Sequence, residues 1–384
     1  MVISRRDLLK GFVATAAAGI LMPSSLLAAS NDITIPEFIP SYPLNLSAVS
    51  SFRAQTQRAK TDTLERLPLN AIIDPTKGRI IGEFDPQILI QPIDPASLTK
   101  IVTFMIIQDF LRLGQTPDGK PFTLKTKLAD VTLLNGDFLK NDDLTVEDGL
   151  NYIMGRSNNQ IASSLAITLA GSEAAFVELM NEKVRSLGLA NTRFMNASGL
   201  PGDEKSELFV GNDDYSNVST LEDLCKLTVQ AVRLYPEYSH YSKPEYELST
   251  ESILTRRARG QDPRASFAST NPLYKKRFKN QAEEFNIDGL KTGTTDILGR
   301  GIIVTGKKNG FRLAGLTAGH PVYREEHADT KRPEQALYLL AENTRLLTFE
   351  AQKTQEFEAE VRRQYQETHF PDKRTSSPAI NPPV

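Results

Sequence analysis

The sequence predicts an α/β fold in which a five-stranded antiparallel sheet is flanked by helices and carries a mostly helical lobe. Two observations support this prediction: short apolar runs lie near both ends of the chain, and helical segments fill the middle of its 384 residues. Helices inserted between sheet-forming ends imply a sheet domain with a helical lobe. A cleft between the two parts is the expected place for a functional site.

Two predicted hairpins supply four of the five strands. Residues 74–78 form a polar turn inside the first hairpin, and Asn309-Gly310, a strong hairpin signal, lies inside the second. A further apolar run precedes the second hairpin. The five predicted strands are residues 69–73, 79–84, 287–292, 301–305 and 311–317. They are enough for one antiparallel sheet closed by the two chain ends.

Apolar residues at helical spacing, with recognisable start and stop signals, predict the central helices. Ser219-Thr220-Leu221-Glu222 has the form of a capping box, and Pro236 ends the helix that follows it. The predicted helices are residues 97–113, 159–170, 172–188, 224–235 and the highly charged 333–366.

The first residues predict export from the cytoplasm. Arg5-Arg6 precedes an apolar stretch at residues 11–27, which has the form of a twin-arginine signal, and a retained membrane anchor is the alternative. We therefore expect a periplasmic protein with no stable transmembrane segment after processing. The predicted segments are a signal at 1–29, an extension at 30–68, a main domain at 69–346, a charged helix at 347–370 and a disordered tail at 371–384.

Composition excludes several classes of function. The net charge of −2 gives no electrostatic basis for binding nucleic acid. Cys225, the only cysteine, lies in an apolar helical pattern typical of a buried inert thiol. The four histidines show no ligand spacing, so the sequence predicts neither a metal site nor a cofactor.

Three short motifs carry the predicted chemistry. Ser97-Leu98-Thr99-Lys100 places a hydroxyl at a helix start with an amine one turn deeper, where apolar neighbours favour the neutral amine that accepts a proton. Ser157-Asn158-Asn159 adds a second hydroxyl and an amide at a break between helices. Lys291-Thr292-Gly293 ends an apolar strand whose edge suits an extended peptide with a terminal carboxylate.

Each motif taken alone has a structural alternative. Ser97 suits an ordinary helix N-cap, Ser157 to Asn159 suits a polar turn, and Lys291 to Gly293 suits a strand that ends at glycine. The three motifs together, in this order, match the S-x-x-K, S-x-N and K-T-G set of serine acyl-transferring enzymes. The combination favours an active-site serine over the separate structural alternatives.

Longer stretches around the motifs resemble the low-molecular-weight penicillin-binding proteins that act as D-alanyl-D-alanine carboxypeptidases, serine peptidase family S11. The stretches are residues 94–100, 188–194 and 288–296. The resemblance implies a β-lactamase/transpeptidase-like fold, a peptidoglycan stem peptide as substrate and β-lactam antibiotics as covalent inhibitors. It also implies that no cofactor is needed.

The resemblance further implies a role for each site residue. Ser97 attacks the carbonyl between two terminal D-alanines, Lys100 takes its proton, and Ser157 helps D-alanine to leave. The backbone N–H groups of Ser97 and Thr294 form the oxyanion hole. The implied substrate-binding residues are Asn159, Lys291, Thr292, Gly293, Thr294 and Arg324.

Three other functions remain open from the sequence. A D,D-endopeptidase that cuts peptidoglycan cross-links uses the same residues. A class A β-lactamase shares the motifs, although no E-x-x-L-N lies between the second and third motifs. A catalytically inactive peptidoglycan-binding protein is the non-enzyme alternative.

Asn158 stands where the family usually has glycine, and Thr294 where many members have histidine, so substrate preference can differ.

Overall fold

A computed structural model describes residues 69–81, 89–132, 138–139, 143–200, 217–260, 267–295, 299–320 and 331–369. Its main sheet is antiparallel and has the strand order β2-β1-β11-β10-β9. The strands of this sheet are β1 (Leu69–Asp74), β2 (Arg79–Ile81), β9 (Gly289–Thr295), β10 (Gly299–Lys308) and β11 (Phe311–His320). The predicted five-stranded sheet is therefore confirmed.

The first and last strands of this sheet pair with each other, as the sequence predicts. Strand β1 pairs with β11, with Ala71 opposite Leu316. The turn between β10 and β11 has positive φ at Asn309 (52°) and Gly310 (78°), the backbone that a tight hairpin turn of this type requires. Within the described residues, β9 pairs only with β10, and it therefore lies at the edge of the sheet.

In the part of the chain that the structure describes, six short strands pair outside the main sheet. They are β3 (Pro92–Ile93) with β6 (Ser219–Thr220), β4 (Val131–Thr132) with β5 (Phe138–Leu139), and β7 (Glu245–Tyr246) with β8 (Phe267–Ala268). The β7–β8 pair belongs to the segment between the second and third motifs, and it brings that segment back toward the second motif.

Helices form the other lobe and the back of the sheet. The α-helices are α1 (Lys100–Leu113), α2 (Val146–Asn151), α3 (Asn159–Ala170), α4 (Glu173–Ser186), α5 (Leu221–Leu234), α6 (Tyr238–Tyr241), α7 (Thr250–Ala258), α8 (Lys279–Glu284) and α9 (Lys331–His369). Helix α1 is the centre of the helical lobe, because most of its residues, polar and apolar, are buried. It ends at Gly114, which adopts the left-handed conformation common after helices.

Several predicted boundaries are wrong by a few residues, for local reasons. Ser97 lies in a 3₁₀ turn, Ala96–Thr99, that precedes α1. Helix α5 begins at Leu221, because the Thr220 side chain, and not Ser219, accepts the hydrogen bond from the Asp223 N–H. Strand β9 continues to Thr295 because its ladder with β10 extends that far.

The last helix covers one face of the sheet and then extends past it. Leu339, Leu340 and Leu347 are buried, and the Asn343 side chain donates to the Ile73 carbonyl of β1 at 2.8 Å. Beyond Ala351 the described side chains are mostly exposed. Among the described residues, no single helix has the length and apolarity to cross a membrane; one bent pair, α3 with α4, passes the same test only when taken together.

Candidate active site

The nucleophile candidate lies in a turn that close backbone contact holds in place. The Asp94 carboxylate accepts a hydrogen bond from the Ala96 N–H at 2.7 Å, and Ala96 has a φ of 49°. Gly199 approaches so closely that a Cβ there would lie 1.8 Å from the Ala96 carbonyl oxygen. Only glycine therefore fits at position 199, beside the 3₁₀ turn. Ser97, within that turn, is half-buried.

Lys100 is the first residue of α1, and its side chain is fully buried. Its Nζ donates to the Ser97 Oγ at 3.0 Å and to the Asn159 Oδ1 at 2.7 Å. It also donates to the Ser198 carbonyl oxygen. The first two motifs therefore meet at this amine.

The Ser198 carbonyl was not predicted from the sequence. It belongs to a loop in which the Asn196 side chain accepts hydrogen bonds from the backbone N–H groups of Ser198 and Gly199. The Asn217 side chain donates to the Asn196 carbonyl and to the Thr99 hydroxyl, and so ties this loop to the nucleophile turn. Asn-Ala-Ser-Gly is a recognisable turn sequence, but nothing in it indicates that the turn faces a catalytic amine.

Burial lowers the pKa of Lys100 well below its ordinary value, and the charge of Lys291 lowers it further. Both effects disfavour the protonated amine, because a buried charge loses its hydration and a nearby like charge repels it. The neutral amine keeps two N–H groups, enough for the Asn159 oxygen and the Ser198 carbonyl, and its lone pair can then accept the proton of the Ser97 hydroxyl 3.0 Å away.

The second motif follows a single π-helical turn. Helix α2 leads into Tyr152–Arg156, and Ser157 then adopts left-handed backbone angles, φ 59° and ψ 33°. The Asn158 side chain caps α3 by accepting the Ile161 N–H at 3.0 Å, and Asn159 is the first residue of that helix. A left-handed serine after a π-turn is unfavourable on its own, so the surrounding contacts must hold it.

Those contacts come from the segment around β7 and β8. The Tyr246 ring packs on Gly155 so closely that a Cβ at Gly155 would lie 2.1 Å from Tyr246 Cε2. The Phe267 ring stacks on Tyr152 with centroids 4.3 Å apart. The Thr270 N–H donates to the Gly155 carbonyl at 2.8 Å. None of these partners was predicted from the sequence, because they lie about 90 to 115 residues away from the π-turn along the chain.

The third motif lies on the edge strand β9. Lys291 is only 3% exposed, and its Nζ donates to the Ser157 Oγ at 2.8 Å and to the Thr292 carbonyl at 2.9 Å. Burial lowers the pKa of Lys291 to about 7, with a further contribution from the charge of Arg332. Thr292 and Gly293 are buried, whereas Thr294 is exposed.

Hydrogen bonds thus join five of the predicted site residues in two groups: Lys100 with Ser97 and Asn159, and Lys291 with Ser157. The charge of Lys291 acts on Lys100 between the two groups. Thr292, Gly293 and Thr294 follow directly along β9. Arg324 lies outside the described residues.

The structure adds Arg332, which was not predicted. It is 6% exposed, its Nη1 donates to the Gly301 carbonyl at 3.3 Å, and its charge acts on Lys291. It lies at the start of a highly charged helix, where an arginine is ordinarily exposed, so the sequence gives no signal that it is buried or that its charge reaches Lys291. Over the described ranges, no three His, Cys, Asp or Glu side chains come together as metal ligands.

Comparisons with known proteins point to one family. The sequence profile of a family described as D-alanyl-D-alanine carboxypeptidase, Peptidase_S11, matches residues 68–321. Escherichia coli D-alanyl-D-alanine carboxypeptidase DacA is 25% identical over 271 residues, which are 68% of this chain and 58% of DacA. An E. coli D-alanyl-D-alanine endopeptidase is 28% identical over 247 residues, 61% of this chain and 64% of that protein. The match thus spans less than two thirds of the length of either relative.

Solved structures agree on the fold. The peptidoglycan synthesis regulatory factor PBP3 from Streptococcus pneumoniae superposes with a TM-score of 0.57 at 22% identity, covering 72% of each chain. Ampicillin-bound penicillin-binding protein D2 from Listeria monocytogenes superposes with a TM-score of 0.52 at 22% identity, covering 71% of this chain and 96% of that one. Both confirm the β-lactamase/transpeptidase-like fold predicted for the main domain.

Proposed function

The chain belongs to the D-alanyl-D-alanine carboxypeptidase family of serine peptidases, and from this premise we propose that it is a serine D,D-carboxypeptidase. It would remove the terminal D-alanine from peptidoglycan stem pentapeptides through an acyl-enzyme, and β-lactam antibiotics would acylate the same serine. The twin-arginine motif supports the further proposal that it works in the periplasm. The observation that carries the proposal is the hydrogen bond between a fully buried Lys100 amine and the Ser97 hydroxyl.

Acylation would begin at this pair. The Ser97 oxygen forms a bond to the penultimate D-alanine carbonyl carbon, and its proton moves to the neutral Lys100 amine. The carbonyl oxygen becomes an oxyanion, for which the N–H groups of Ser97 and Thr294 are the proposed donors. Asn159 would hold the substrate backbone through its amide while its side-chain oxygen keeps the amine of Lys100 in place at 2.7 Å.

Collapse of the tetrahedral intermediate would break the C–N bond and release D-alanine. The leaving nitrogen needs a proton, and the Ser157 hydroxyl is the proposed donor. The proton that Lys100 took from Ser97 would then replace the one that Ser157 gave up, so that both groups return to their starting forms. Lys291 Nζ donates to the Ser157 Oγ at 2.8 Å, so a charged Lys291 supports loss of the serine proton. Water then hydrolyses the acyl-enzyme and regenerates Ser97.

The terminal carboxylate would be recognised by Lys291 on β9 together with Arg332 on α9. Lys291 supplies a buried charge, the Thr292 hydroxyl a hydrogen bond, and Arg332 a second buried charge beside Lys291. Gly293 would let the substrate backbone approach the strand edge, because it has no side chain. A role for Arg324 in the same carboxylate site stays a prediction.

Incubation with benzylpenicillin, followed by intact-mass measurement, tests the acyl-enzyme. We expect a lasting adduct of the full chain that the Ser97→Ala variant does not form. Drug hydrolysis with rapid return of free enzyme would instead indicate a β-lactamase, and a chain that never forms an adduct would indicate an inactive binding protein.

Endopeptidase activity is the second candidate, because the E. coli endopeptidase is as similar as the carboxypeptidases. Parallel digestion of a stem pentapeptide and a D-alanyl cross-linked dimer separates the two. D-Alanine release from the pentapeptide with the dimer left intact supports the carboxypeptidase. Cleavage of the dimer alone would contradict it.

A further inference from the structure

Thr270 links the π-turn that precedes the second motif to the third motif. It follows β8 and is exposed. Its Oγ1 lies 3.2 Å from the Gly155 carbonyl oxygen of the π-turn and 3.1 Å from the Thr292 Oγ1 of the edge strand. No motif contains this residue, and none of the implied family roles falls on it.

The Thr270 hydroxyl can donate its proton to either of two acceptors, the Gly155 carbonyl oxygen or the Thr292 hydroxyl oxygen. The Gly155 carbonyl already accepts the Thr270 backbone N–H at 2.8 Å. That carbonyl therefore stays satisfied if the hydroxyl proton turns away from it. The Thr270 hydroxyl can then donate to the Thr292 oxygen at little cost.

A substrate carboxylate bound at Lys291 would favour donation from the Thr270 hydroxyl to Thr292. To donate its own proton to an anion held by Lys291, the Thr292 hydroxyl turns its hydrogen toward the ligand and leaves its oxygen free to accept. The Thr270 hydroxyl lies within hydrogen-bond distance of that oxygen. A chain of hydroxyls that all point toward an anion polarises each member in the same direction and strengthens the terminal bond.

We infer that Thr270 is a positioning residue that acts through Thr292 to favour substrates ending in a free carboxylate over those ending in an amide. The inference rests on the proposed function, because it takes the carboxylate of the terminal D-alanine as the ligand of Thr292. It adds a determinant of specificity that lies outside all three motifs and is contributed by the segment around β7 and β8.

The test compares kcat and KM for an acyl-D-alanyl-D-alanine substrate as the free acid and as the C-terminal amide. Thr270→Val keeps the backbone N–H and the branched shape and replaces the hydroxyl with a methyl group, which cannot form a hydrogen bond. We expect it to lower the acid-to-amide ratio of kcat/KM about 3- to 10-fold, mainly through KM for the acid. Thr270→Ser keeps the hydroxyl and is expected to restore the ratio. Thr354→Val, on the exposed part of α9, is the matched control and should leave the ratio unchanged.

The possible outcomes separate this inference from the proposed function. A wild-type enzyme that prefers the acid, with the same ratio in Thr270→Val, would overturn the inference and leave the carboxypeptidase assignment intact. An equal loss for acid and amide would show a purely structural role and overturn it as well. A wild-type enzyme that does not discriminate between the two, or that acts on neither, would overturn the carboxylate assignment of Thr292 and the inference with it.

Discussion

Replacing Lys291 with methionine should remove the preference for a free carboxylate and slow the chemistry at Ser97. Methionine is close to lysine in length and shape but has no charge, so Lys291→Met leaves little cavity at a position that is 3% exposed. The variant therefore isolates the charge of Lys291 and its two hydrogen bonds, to Ser157 and to the Thr292 carbonyl.

The size of the effect follows from burial. Leaving the carboxylate of a substrate without its buried cation costs about 2–5 kcal/mol, which corresponds to roughly 30- to 5,000-fold in kcat/KM. A C-terminal amide carries no charge, so at a pH high enough to keep Lys100 neutral in both proteins it would lose only the support that Ser157 receives, about 1 kcal/mol or roughly 5-fold. Arg332 remains beside the site and should hold the loss for the acid toward the lower end of this range.

The assay is D-alanine or D-alaninamide release from the matched acid and amide substrates, with acylation by benzylpenicillin followed across pH. Because the charge of Lys291 lowers the pKa of Lys100, Lys291→Met should also move the rise of the acylation rate to higher pH. Equal losses for acid and amide would contradict the carboxylate role. An unchanged pH profile would contradict the electrostatic coupling of the two lysines.

Three other predictions address the same machinery. Asn159→Asp places a carboxylate where Lys100 contacts the Asn159 oxygen at 2.7 Å, so it should raise the pKa of Lys100. Acylation should then slow at neutral pH and recover at higher pH. Acylation that stays fast at neutral pH would contradict the neutral-amine mechanism. Gly155→Ala would place a Cβ 2.1 Å from the Tyr246 ring, so the free energy of unfolding should fall by about 1–3 kcal/mol in thermal unfolding. Acylation should also slow, because the π-turn leads directly into Ser157. An unchanged Tm would show that this contact relaxes freely. Folded Lys291 loses its proton near pH 7, whereas the unfolded lysine keeps it to about pH 10.5. The free energy of unfolding should therefore rise with pH in that window by up to about 1.4 kcal/mol per pH unit. In Lys291→Met, denaturant titrations at a series of pH values should show a smaller rise of this free energy with pH.

The sheet and the core of the site could be predicted because their signals are local. Each hairpin lies within about 20 residues, and Asn309-Gly310 specifies its own turn. Ser97 and Lys100 are one helical turn apart, so sequence spacing alone places them together. The order of the three motifs along the chain predicted the remaining site residues of the second and third motifs, since each motif lacks a group that the other two provide.

The remaining parts of the site depend on contacts between distant residues. The Ser198 carbonyl reaches Lys100 across 98 positions, and Thr270 reaches Gly155 across 115. Neither has a periodic pattern or a motif, because a carbonyl oxygen is present in every residue and a threonine in a loop is ordinary. Arg332 was missed for a similar reason, since one arginine at the start of a charged helix carries no sign that it is buried.

The two buried lysines explain how one cleft can hold a base and an anion site together. Burial lowers the pKa of both amines, and the fully buried Lys100 is also repelled by Lys291, so the neutral form is favoured most strongly where a base is required. With a pKa of about 7, Lys291 is partly charged near neutral pH, and a bound carboxylate would favour the charged form further. Substrate would therefore complete the charge at Lys291, and that charge in turn keeps Lys100 neutral. The arrangement lowers stability, because two amines lose their hydration in the folded state, and this cost is expected of a site whose function depends on their difference in pKa.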